Sequence, residues 1–137
     1  MRIVLTLLAT VMAVAPAYAA DELKASLTGA AEVPGPGDED GTGAATVTID
    51  KEKGQVCYTL SVSGIDAATM AHIHDGAAGA AGPPVVTLDA PANGASEGCK
   101  AATPEVLDAI ATAPQGYYVN VHNAAFPKGA VRGQLGQ

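Results

Sequence analysis

Residues 45–62 read ATVTIDKEKGQVCYTLSV. Ala45, Val47 and Ile49 share one side of an extended chain, and after the DKEKG turn Val56, Tyr58, Leu60 and Val62 do so again. Apolar alternation with a period of two on both sides of a glycine-containing turn predicts a β-hairpin with one face in a core. Working outward, Leu23 to Gly29 alternates in the same way and predicts a preceding strand. Between the two lies VPGPGDEDGTG (33–43), whose prolines, glycines and acids read as loop. Asp38, Glu39 and Asp40 do not have the spacing of a twelve-residue calcium loop, and a solvated acidic turn is the expectation.

Beyond the hairpin, residues 70–86 read MAHIHDGAAGAAGPPVV. Side chains two apart in a strand lie on one face, so His72 and His74 point together and Ile73 points away. Val85 to Leu88 predicts a further strand, and Ala90 to Lys100 predicts a polar loop carrying Cys99. Thr103 as N-cap, Pro104 at the first helical position and Glu105 behind it predict a helix through Val106, Leu107 and Ile110, ended by Pro114 and Gly116. Two last strands, Tyr117 to His122 and Ala130 to Leu135, flank the turn NAAFPKG. In the first of them Asn120 and His122 oppose Val119 and Val121, so the third histidine also faces away from the core. All three imidazoles are expected on the outer face of the sheet or at its rim. About seven to eight short strands with one short helix predict an all-β, antiparallel β-sandwich.

Composition narrows the function. The first 20 residues combine Arg2, an apolar run from Ile3 to Ala15 and the Ala17-Tyr18-Ala19 pattern of a signal peptide cut after Ala19 or Ala20. A single domain over 21–137 is the expectation for the remainder, exported to the periplasm or secreted. The chain carries a formal net charge of -7, and losing Arg2 with the leader makes it -8, so it has no basic patch for nucleic acid or anionic lipid. No later apolar stretch has the length of a membrane span. Cys57 and Cys99, an even count in an exported chain, predict a disulfide worth ~4 kcal/mol in the chain-entropy model, with Cys57 stapling a later loop to the sheet. The rival reading, two thiolate metal ligands, lacks any CxxC spacing.

The three histidines, all the chain has, form an HxH-plus-H pattern suited to one metal ion with imidazole ligands. Such a nitrogen site favours copper, with zinc as competitor, one ion per chain. Met70 shares their face, where it is either a strand-edge apolar residue or a weak axial ligand. Asn120, Arg132 and Asp75 are candidate supporting residues, with Arg132 expected to pair with a carboxylate such as Asp75 near the site, or else to form a surface salt bridge or a strand-end cap. In the competing reading the histidines hydrogen-bond loop carbonyls or one another to hold the glycine-rich loop, and the domain is an adhesion or interaction module whose exposed loops bind an unknown protein or glycan partner.

LTGAAEVP (27–34), GTGAATVTID (41–50), AHIHDGAAGAAGPPVVTL (71–88) and YYVNVHNAAFPKGAVRGQL (117–135) together resemble the CHRD domain, found in chordin and in exported bacterial proteins. That resemblance implies an extracellular domain and little about activity. More loosely, an HxH strand followed by a strand ending VxVH is similar to the copper-ligand strands of copper/zinc superoxide dismutases, which are disulfide-bearing β-sandwiches; the sandwich expected here is of that form or immunoglobulin-like. On that likeness His72, His74 and His122 stand where copper ligands stand, and a single-copper oxidoreductase of dismutase-like type is a third reading. A two-metal site needs more histidines than three.

Overall fold

The computed structural model describes residues 21–137. The signal-peptide expectation, residues 1–20, lies outside the described residues. Eight strands form one antiparallel sheet: β1 (Asp21–Thr28), β2 (Thr42–Asp50), β3 (Gln55–Ser63), β4 (Ala68–Asp75), β5 (Pro84–Leu88), β6 (Ala95–Ala101), β7 (Tyr117–Asn123) and β8 (Val131–Gln134). Their order across the sheet is β5-β4-β7-β8-β1-β2-β3-β6. The sheet folds over on itself, so the architecture is the expected all-β, sandwich-like one with a single short helix, α1 (Pro104–Thr112).

The hairpin forms as its alternation requires. Val47 faces Tyr58 and Ala45 faces Leu60 across β2 and β3, and Leu23 of β1 lies opposite Val47. These side chains join Ile73, Val119, Val121 and Val131 from the far half of the sheet in one buried cluster. Leu107 and Ile110 of α1 reach the same cluster, and Thr103 Oγ1 accepts the Val106 N–H at 3.3 Å as the helix cap. The two ends of the sheet are tied near one another. Asp89, just after edge strand β5, accepts from Lys100 Nζ of edge strand β6 at 2.7 Å and from Tyr58 Oη of β3 at 3.0 Å.

The stretch expected as a loop, Ala90 to Lys100, is corrected in its second half. Residues 95–101 are edge strand β6, paired with β3 so that Cys99 lies opposite Cys57. The disulfide forms, with a sequence separation of 42, and it joins two neighbouring strands where a strand-to-loop staple was expected. ASEGCKA contains no β-branched or aromatic residue and buries none of its side chains fully, so neither propensity nor patterning marks it. Pairing with β3 and the covalent link make it a strand.

Candidate metal centre

The site lies on the outward face of β4 and β7, near one end of the sheet order. His72 faces Asn120, His74 faces Tyr118 and Met70 faces His122 across the two strands. Ile73, Val119 and Val121 go into the core and leave the polar partners of each pair outside. The three imidazoles meet. Ring centroids are 5.4 Å apart for His72 and His74, 5.3 Å for His72 and His122, and 6.4 Å for His74 and His122. One nitrogen from each ring lies within 4.8 Å of the others, and among the described residues no carboxylate or thiol joins this cluster.

The expected outward orientation holds, yet His74 and His122 are each only 8% exposed. The loops supply the cover. Gly82 O lies 2.8 Å from His74 Nδ1, and Pro127 O lies 3.1 Å from His122 Nδ1. A carbonyl only accepts, so Nδ1 carries the proton in both rings, and Nε2 bears the lone pair whenever the ring is neutral. His122 Nε2 and His72 Nδ1 are buried without a hydrogen-bond partner among the described residues. His74 Nε2 sits 2.9 Å from Asn120 Oδ1. A neutral His74 takes the carboxamide NH2 in that position instead, and a protonated one takes Oδ1.

The glycine-rich loop is clamped onto His74. Tyr118 Oη accepts the Gly82 N–H at 3.2 Å while its ring stacks on the imidazole. A Cβ at Gly82 would run into the Asp75 carbonyl, which explains glycine at that point of close approach. Asp75 itself is exposed and forms no ion pair with Arg132 among the described residues. Its peptide N–H instead donates to Pro83 O at 3.0 Å, closing the loop. Arg132 is buried at 1% exposure, with Cζ 3.4 Å from the Tyr118 ring centroid and Nη2 donating to Ala77 O at 2.9 Å and Gln134 Oε1 at 3.0 Å. A surface salt bridge, another expectation for Arg132, is replaced by these buried contacts.

Glu32 is the residue that patterning passed over. It follows a single helical turn, Gly29–Ala31, and precedes the acidic loop; it is 4% exposed and has Arg132 and Asn120 as polar neighbours. A Cβ on Gly129, where φ is +135°, would strike its carboxylate. Burial raises its pKa to about 7, with Arg132 and Asn120 pulling in the other direction. Glu32 Oε1 and Arg132 Nη1 both lack hydrogen-bond partners among the described residues. The one available signal was an acid in the apolar context AAEV of residues 30–33.

Burial, and then the neighbouring rings His122 and His74, lower the pKa of His72. The His122 pKa is lowered by burial and by His74, against the Pro127 carbonyl, which raises it. Both effects keep lone pairs free near neutral pH, the state a cation requires.

The CHRD domain model matches residues 23–135. The chain belongs to the CHRD family. Comparison with curated proteins and with solved structures returns no match. CHRD domains occur in extracellular proteins, and among the described residues no helix is long and apolar enough to cross a membrane. Within the CHRD domain, the HIH and VNVH motifs are the segments that β4 and β7 bring side by side.

Proposed function

We propose that this CHRD domain is an exported metal-binding module that holds one copper ion, with zinc as competitor, through His72, His74 and His122. The observation that carries the reading is the convergence of three imidazoles, one nitrogen each within 4.8 Å, on one face of two neighbouring strands. The nitrogens open to an ion are a ring nitrogen of His72, His122 Nε2 and His74 Nε2. Two of these already lack protein partners, and the third is released when the Asn120 carboxamide turns away. Gly82 O and Pro127 O hold the opposite nitrogens of two rings, the arrangement by which outer carbonyls orient metal-binding histidines. Divalent copper binds such nitrogen sites more tightly than other first-row divalent ions. The disulfide and the leader-like start support an oxidising, periplasmic or extracellular location.

Calorimetric titration of metal-free protein with Cu(II), then Zn(II), tests the reading. One equivalent of Cu(II), with nitrogen hyperfine structure in the electron paramagnetic resonance spectrum that weakens in His122→Ala, is the expected result. Weak, non-stoichiometric uptake of both ions would return the histidines to a purely structural role.

A further inference from the structure

Met70 is the one large apolar side chain left exposed among the described residues, at 47%. Its position is built. Ala68 is a core residue, and strict alternation from it would send Met70 inward as well. Between Ala68 and Met70 the β4–β7 register shifts: Ala68 faces Asn123 and Met70 faces His122, with Thr69 as the extra residue. A bulge of this kind re-aims the side chains that follow it. Here it turns Met70 onto the histidine face and returns Ala71 to the core. Thr69 Oγ1 fastens the bulge to the histidine strand by donating to His122 O at 3.3 Å.

Two further side chains with ligating atoms of opposite character thus share the two strands with the triad. Asn120, facing His72, carries a hard carboxamide oxygen that sits on His74 Nε2 in the metal-free protein, and Met70, facing His122, carries a soft thioether on a flexible stem. Hard oxygen suits divalent ions, whereas thioether sulfur selects Cu(I). We propose that Met70 is a fourth, oxidation-state-selective ligand, whose sulfur joins His72, His74 and His122 when the ion is Cu(I). The proposal rests on the three-histidine reading and deepens it. Its consequence is a site that retains copper in both oxidation states, a property that zinc binding does not need.

The test compares full-length Met70→Leu with the unsubstituted protein, both metal-free at the start. Leucine keeps the apolar bulk at an exposed position and removes only the sulfur. Cu(I), kept reduced by ascorbate without oxygen, is partitioned between protein and a chromogenic Cu(I) chelator; Cu(II) and Zn(II) are titrated separately. Loss of about tenfold or more in Cu(I) affinity in the variant, with Cu(II) and Zn(II) affinities changed less than about twofold, is the expected result. X-ray absorption of the Cu(I) protein should show a sulfur scatterer that Met70→Leu lacks. Equal Cu(I) affinity in the two proteins, with Cu(II) still bound by both, would overturn the role of Met70 and leave the triad standing. Failure of the unsubstituted protein to take up Cu(II) would overturn the triad reading, and the Met70 proposal with it.

Discussion

His74 and Tyr118 stack face to face, with ring centroids 4.7 Å apart and planes within 3° of parallel, while the Arg132 guanidinium lies over the same tyrosine ring. One side chain thus seats an imidazole, anchors the Gly82 peptide and receives a buried cation. Tyr118→Phe removes only the hydroxyl, so a loss of ~1 kcal/mol in denaturant unfolding is expected. Tyr118→Leu also removes the surface beneath Arg132 and His74, so a loss of ~3 kcal/mol and a roughly tenfold weaker Cu(II) affinity are expected. Equal stability of the two variants would show that the stack contributes nothing beyond the hydroxyl.

What was legible from sequence was the part governed by period-two patterning. The hairpin around DKEKG, the opposition of His72 and His74 to Ile73, and the opposition of Asn120 and His122 to Val121 follow from alternation alone. β6 was not legible, because an edge strand of small and charged residues takes its conformation from its neighbour and from Cys57–Cys99. Nor was the cover over the histidines. Gly82 and Pro127 act through backbone carbonyls, which leave no side-chain signature. Glu32 reaches the network from a loop distant in sequence from Asn120 and Arg132, a contact that only the folded sheet creates.

The buried Glu32 carboxyl gives the stability a pH slope of known sign. Its pKa rises from 4.5 to about 7 on folding, chiefly through burial. Between those values the native state holds a proton that the unfolded chain has lost. The stabilisation is complete below the unfolded value and is lost as pH rises through 7. At about 1.4 kcal/mol per unit the loss is roughly 3 kcal/mol at most. Glu32→Gln should abolish this decline, measured as urea unfolding free energies from pH 5 to pH 8. An unchanged slope in the variant would remove Glu32 as its source.

The histidines act in the opposite sense. His72 and His122 have pKa values lowered from 6.5 by burial and by neighbouring imidazoles, so the unfolded chain binds protons first as the pH falls. Their contribution is complete above 6.5 and is lost below it. In Glu32→Gln, freed of the competing carboxyl, stability of the metal-free protein should therefore rise with pH up to about 6.5 and then level off. Saturating Cu(II) at about a hundred times its dissociation constant should add ~2.7 kcal/mol at pH 7.5, and chelation should remove that increment. At pH 5 the increment should shrink markedly, since protons and the metal compete for the same nitrogens. An increment independent of pH would exclude the imidazoles as ligands.

Cys57 and Cys99 close a loop that contains the whole of β4 and β5, and with them His72 and His74. The link reinforces the antiparallel ladder between edge strand β6 and β3, and Asp89 adds contacts to Lys100 of β6 and Tyr58 of β3. With a sequence separation of 42, the chain-entropy account assigns ~4 kcal/mol to the closure. Replacing both cysteines by alanine should therefore cost up to about that amount, read by chemical unfolding. The loss should be uneven in space: amide exchange should accelerate first in β6 and its β3 partners, because β6 has a hydrogen-bonded neighbour on one side only. The β4–β7 pair, flanked by β5 and β8, should keep its protection, and the Cu(II) affinity of the folded variant should stay within about twofold of the parent. A large fall in affinity at full folding would mean that the disulfide end of the sheet sets the histidine geometry, and would tie metal retention directly to the redox state of the compartment.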